Sequence, residues 1–153
     1  MNPDTLHKHP YGAFLGLALL LFPLTLVAAG LLLQSWEHLA FFSMAFTANP
    51  RGLLVEAALG VYFLLPFVLL GAMCASLSQR LGSCAGLLLL AVGAVFLGLT
   101  HLCGFHDSLA AREQQAWTAM TLSTGLLPFF SLPALVICAC VRWCLLGRSG
   151  VRR

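Results

Sequence analysis

Four apolar runs, at about residues 11–33, 53–77, 81–102 and 118–141, fill most of this 153-residue chain, and none carries a charge in its middle. Each reaches the roughly 20 residues that an α-helix needs to cross a bilayer's hydrocarbon core. Only Ser78, Gln79 and Arg80 separate the second run from the third, so those two helices are predicted to be antiparallel neighbours. The fold class this predicts is an all-α integral membrane protein, a four-helix transmembrane bundle forming one domain over residues 1–153.

Composition supports that class. The chain is 60% hydrophobic and 8% charged, whereas soluble domains carry about 25% charged residues. A soluble fold of this length cannot hide so much apolar surface; a bilayer requires only that the backbone be satisfied internally. Lys8 before the first run and Val27-Ala28-Ala29 within it resemble a signal peptide. The run is, however, longer than the usual h-region of about 7–15 residues, so it is read as a span.

The net charge of +3 lies mostly at the chain ends and predicts orientation, with no nucleic-acid partner. With the N-terminus inside, Lys8, Arg80, Arg142, Arg148, Arg152 and Arg153 face the cytoplasm, and only Arg51 and Arg112 face outward. Both termini are therefore expected in the cytoplasm. Arginine-rich, Leu/Ala/Gly-rich composition suggests a bacterial gene, and so the plasma (inner) membrane.

Orientation sorts the cysteines. Cys74, Cys84, Cys138, Cys140 and Cys144 fall toward the reducing cytoplasmic side, and Cys103 is alone near the outer face. A thiol–disulfide oxidoreductase needs paired outer cysteines and is excluded on this topology. A soft-metal or lipidation site near Cys140 and Cys144 lacks diagnostic spacing. The cysteines are expected to pack as small apolar residues.

An ionisable residue inside a span is by default a candidate functional site. Glu56 is the one such candidate in the four runs, and 57–77 is long enough to cross without it. Its carboxylate is expected at the outer interface, in the first turns of a helix opened by Asn49-Pro50. The membrane interior is thus expected to hold no ionisable chemistry. Pro23, Pro66, Pro128 and Pro133 lie near mid-span and can kink their helices. Without a polar lining they give little support to a small-solute transporter.

Small residues four apart recur as Gly12/Gly16, Gly71/Ala75, Gly82/Gly86 and Ala94/Gly98. That spacing lets helix backbones approach closely in lipid. Packing within the chain is the expected use, and self-association a further one. Leu64-Leu65-Pro66-Phe67 recurs as Leu126-Leu127-Pro128-Phe129, but one short apolar match is weak evidence of tandem hairpins.

The outer rim holds the remaining polar chemistry. His38, His101, Cys103 and His106 are candidate ligands for a metal or haem, although His101 and Cys103, two apart, point to different helix faces. Trp36 and Trp117 suit interfacial anchoring. Residues 39–48 are too short to span and too apolar for a solvated loop, so they are expected to lie in the outer interface. With Trp36, the ledge residues Phe41, Phe42 and Phe46 are candidate partner contacts. Residues 107–117 are rich in helix formers; Asp107 is read as an N-cap, and the stretch as an extension of the fourth helix.

No nucleophile elbow, phosphate-binding glycine loop, HExxH pair or paired carboxylate occurs in the sequence. The expected function is non-enzymatic, without a cofactor: a membrane protein that binds another membrane protein or a toxin. An immunity protein against a membrane-acting toxin and an accessory subunit of a membrane complex both fit. The alternatives are an outer-face metal- or haem-handling protein and a small-solute transporter.

Overall fold

A computed structural model describes residues 10–35 and 50–150, and every element in them is helical. The helices are α1 (Pro10–Leu32), α2 (Pro50–Leu81), α3 (Ser83–Glu113), α4 (Trp117–Gly125), α5 (Leu127–Phe130) and α6 (Leu132–Gly150). Among the described residues, four stretches are long and apolar enough to cross a membrane: Pro10–Leu32, Gly60–Leu81, Ser83–Glu113 and Leu127–Gly147. The 23 residues of α1 correspond to about 35 Å of helix, enough for a hydrocarbon core of about 30 Å.

The second stretch is the central one. It is 44% buried, against 22% for each of the others. α2 packs on α1, α3 and α6, while α1 and α6 also lean on α3. Small residues set these contacts. A methyl group added at Gly71 would lie 3.0 Å from Leu15 Cα and 3.1 Å from the Phe14 carbonyl oxygen. One at Gly86 would lie 2.6 Å from Phe14 Cζ and 3.0 Å from the Cys74 carbonyl oxygen. At Gly93 it would collide with Leu70. Gly12 and Gly16 have open space instead, and Gly98 meets only Thr25 Cγ2, at 3.8 Å. Of the glycine spacings in the sequence, Gly71 and Gly86 serve packing inside the chain.

The main core joins Phe14, Phe67, Leu70, Cys74, Leu77, Leu89, Leu97, Leu135 and Cys138, and so ties all four spans together. Cys74 and Cys138 are fully buried here, as expected of small apolar packing residues, whereas Cys84, Cys103, Cys140 and Cys144 are exposed. Near the end of the bundle that carries Arg80, Arg142 Nε donates to Ser76 Oγ (3.0 Å) and fastens α6 to α2. Large apolar side chains such as Leu24, Leu32, Val61, Val95 and Phe129 point outward, as lipid-facing side chains do.

Three boundaries differ from expectation. Ser78, Gln79 and Arg80 are helical, and Gly82 alone joins α2 to α3. Its φ of 91° and ψ of 165° suit only glycine, which is why the turn can be so short. The third helix runs to Glu113 rather than Leu102, because 103–113 contains no proline and only one glycine. Asp107 is therefore inside α3 and does not cap the fourth helix. α3 ends in a Schellman turn: Gln115 N–H donates to the Arg112 carbonyl and Ala116 N–H to the Ala111 carbonyl, both at 2.8 Å, with Gln115 at φ 57°. Finally, the fourth apolar run is broken at Leu126 and Ser131 into α4, α5 and α6. Pro66 lies within unbroken α2, so the Leu-Leu-Pro-Phe match does not mark equivalent structures.

Gly86→Ala is expected to destabilise the bundle by about 1–3 kcal/mol through overpacking. Gly16→Ala should leave stability unchanged or raise it by up to about 1 kcal/mol through helix propensity. Reversible denaturant unfolding in micelles measures both. In the same assay Gln115→Gly should stabilise by up to about 1 kcal/mol, because glycine adopts the left-handed conformation without strain.

Candidate functional site

The buried face of α3 repeats at helical spacing through Gly86, Leu89, Gly93, Leu97, His101 and Gly104. His101 is thus an inward-facing position one turn beyond Leu97. It is 1% exposed and stands among Phe67, Phe105 and Phe22, with ring centroids at 5.2, 6.3 and 6.5 Å. Phe22 lies near the middle of α1, so the imidazole sits within the bundle and not on its rim. The expected place of His101, at the outer rim, is corrected here: the side chain is buried inside the bundle. The cause is the length of α3, which carries His101 well inside the helix end.

His101 Nδ1 lies 2.8 Å from the Leu97 carbonyl oxygen. A carbonyl can only accept, so Nδ1 is the donor, and in the neutral ring Nε2 carries the lone pair. Nε2 is buried and has no hydrogen-bond partner among the described residues. Ser83 Oγ, at the other end of α3, is in the same position. Leaving a buried acceptor unsatisfied costs about 1–3 kcal/mol.

The remaining candidates do not converge on His101. Cys103 is exposed. His106 is exposed beside Asp107, with His106 Nδ1 3.5 Å from Asp107 Oδ1. Among the described residues no group of three or more His, Cys, Asp or Glu side chains is placed to hold a metal. The rings around His101 are phenylalanines, which supply no second ligand. Trp36, His38, Phe41, Phe42, Phe46 and the ledge at 39–48 lie outside the described residues. Glu56 falls in α2, one turn before Gly60.

Next to this site the fourth span passes Pro128 and Pro133, with helical bonds from Leu126 to Leu122, Phe130 to Leu126, Ser131 to Leu127 and Leu135 to Ser131 carrying it across. Tyr62 Oη donates to the Gly125 carbonyl oxygen (2.8 Å), joining α2 to the end of α4. Ser131 Oγ donates to the Leu127 carbonyl oxygen (3.0 Å) within the break. Leu127 fills the space beside Gly104 and shares a second core cluster with Leu26, Ala29, Phe63 and Phe105.

A different feature opens on the outer surface of the bundle. Thr25, Ala28, Ala29 and Leu32 of α1 face Ala94, Val95, Gly98, Leu99 and Leu102 of α3 across a groove of about 270 Å³. The Thr25 hydroxyl is occupied by the Phe22 carbonyl oxygen (2.7 Å). The groove is therefore apolar and walled largely by small residues.

No protein-family model matches the chain, and neither a curated protein nor a solved structure is significantly similar to it.

His101→Leu removes the orphaned nitrogen at nearly constant volume. It should raise stability by about 1 kcal/mol if nothing occupies Nε2. Chemical denaturation of wild type and variant in the same micelles reads the difference; a loss of stability shows that Nε2 has a partner.

Proposed function

We propose that this chain is a non-enzymatic, multi-pass membrane protein that binds another membrane protein by receiving one of its transmembrane helices in the α1/α3 groove. The small-residue walls of that groove carry the reading. In lipid, helices gain nothing hydrophobic by associating; close van der Waals packing, which small residues permit, drives association instead. Ala28, Ala29, Ala94 and Gly98 line such a surface, and a methyl group added at Gly98 would meet only Thr25 Cγ2, at 3.8 Å.

The distribution of Lys and Arg supports a plasma-membrane orientation with both termini in the cytoplasm. An accessory subunit and an immunity protein against a membrane-acting toxin both use such a surface. They differ in whether the partner is made constitutively in the same cell or arrives as a toxin.

A photo-crosslinking amino acid at Val95, on the groove's rim, tests the reading in native membranes. A discrete protein adduct is expected, and Gly98→Leu should abolish it by filling the groove. A Cβ added at Gly98 meets only Thr25 Cγ2, at 3.8 Å, so the backbone there accepts a side chain directed into the groove. Adducts to lipid alone, or a protein adduct indifferent to Gly98→Leu, overturn it.

A further inference from the structure

We propose that the end of the bundle bearing Arg80 and Arg142 is a binding site for the headgroup of an anionic phospholipid. Two helices build it. Tyr62 meets Gly125 and Arg142 meets Ser76, so the fourth span runs parallel to α2 and both finish at the same end. Ser76 and Arg80 are four residues apart within helical α2, a spacing that places them one above the other on one face. Arg142 reaches from α6 to Ser76 on that face, one turn below Arg80. Two guanidinium-bearing side chains are thus brought to the same seam between α2 and α6.

Arg142 is held in position there. Ser76 Oγ donates to the Met73 carbonyl oxygen (3.1 Å) and accepts from Arg142 Nε (3.0 Å). The Nη donors of Arg142 are left without a hydrogen-bond partner among the described residues. Arg80 is exposed and makes no ion pair among them either. The acidic residues of the described helices, Glu56, Asp107 and Glu113, lie toward the opposite end, at the start of α2 and the close of α3. Charge complementarity at this seam therefore calls for an anion from outside the chain.

Position identifies that anion. Arg80 and Arg142 fall in the closing turns of two stretches long and apolar enough to cross a membrane, Gly60–Leu81 and Leu127–Gly147, which is the depth of lipid headgroups. Trp143, next to Arg142, is 79% exposed, more than any other large apolar side chain described, and tryptophan favours that same depth. Guanidinium groups bind phosphate through paired N–H bonds, and basic pockets between spanning helices take anionic headgroups. A zwitterionic lipid carries its own cation beside the phosphate, so a pair of arginines selects a headgroup of net negative charge.

The seam does not line the α1/α3 groove, so its test is independent of the docking reading. Full-length protein in non-ionic micelles is titrated with phosphatidylglycerol or phosphatidylcholine of identical chains, and retained lipid is counted by native mass spectrometry. Phosphatidylglycerol should be retained in preference. Arg80→Gln should weaken its retention roughly 5-fold, the effect of one basic side chain near an anionic headgroup, and Arg142→Gln by at least as much. Ser76→Ala keeps every charge but frees the Arg142 side chain; it should also lower retention, which diffuse attraction to net charge would not produce. Arg112→Gln, the same charge change at the other end of α3, should leave retention unchanged. Equal retention of the two lipids, equal losses in Arg112→Gln and Arg80→Gln, or full retention in either Arg80→Gln or Ser76→Ala overturns the site. Displacement of phosphatidylglycerol by inorganic phosphate, but not by chloride at equal ionic strength, overturns the lipid as its occupant. If Arg142→Gln does not fold, the Arg80→Gln and Ser76→Ala comparisons decide.

Discussion

The close approach of α1 and α3 to α2 is the constraint on which the rest of the structure depends. Between helices as uniformly apolar as these, specific contact comes from backbones brought near enough for dense packing. Gly71 admits the α1 backbone and Gly86 admits the Phe14 ring beside the Cys74 carbonyl. With those two contacts fixed, the rotation of α3 about its axis is fixed too. Every position at the spacing of Gly86, Leu89, Gly93 and Leu97 faces inward, and His101 and Gly104 follow on the same stripe. The same geometry leaves α1 and α3 in looser contact at Gly98 than Phe14 makes with α3 at Gly86. The tight core and the outward groove are thus two consequences of one packing arrangement.

Polar groups within the bundle follow a consistent local rule. Thr25 donates to Phe22, Ser76 to Met73, Thr100 to Phe96 and Ser131 to Leu127, each to a backbone carbonyl three or four residues earlier. Such back-bonding satisfies a hydroxyl without reaching across to another helix. Other side chains reach across. Arg142 joins α6 to α2 through Ser76, and Tyr62 joins α2 to the end of α4. These cross-links stand at Gly125, just before Pro128, and near the arginine-bearing end of the bundle. His101 obeys the local rule with one nitrogen and departs from it with the other.

The four apolar runs made the bundle legible, because length and lack of charge are sufficient to mark a spanning helix. The ends were less legible for reasons that belong to particular residues. Gly82 turns the chain in one residue through a conformation that a glycine permits but does not announce. Gln115 ends α3 in a left-handed conformation that glycine adopts far more readily, so nothing in the sequence marks that stop. Closing the third span at Leu102 placed His101 on the rim with Cys103 and His106. The helical repeat from Gly86 to Gly104 was present in the sequence and would have placed the histidine inside. The α1/α3 groove was only half visible: the Ala94/Gly98 spacing was recognised, but its pairing with Ala28 and Ala29 depends on how two helices meet.

The four prolines show how the same residue acts differently according to its surroundings. Pro23 and Pro66 each remove one helical hydrogen bond from a long, otherwise regular helix, and both helices run on unbroken. Pro66 is bracketed by buried Phe63 and Phe67, whose packing holds the chain in register across the missing bond. Pro128 and Pro133 remove two bonds five residues apart, just after Gly125, a residue of low helix propensity. Ser131 between them turns its hydroxyl back on Leu127, a bond that favours bending. Helical bonds nonetheless carry the chain across both prolines, from Leu126 to Leu122, Phe130 to Leu126, Ser131 to Leu127 and Leu135 to Ser131, and tertiary contact adds to them. Leu127 against Gly104 supplies packing, and Tyr62 supplies a cross-helix hydrogen bond. The fourth span is therefore held to α2 by Arg142 in α6 and by Tyr62 at Gly125, with Leu127 packed against α3 between them.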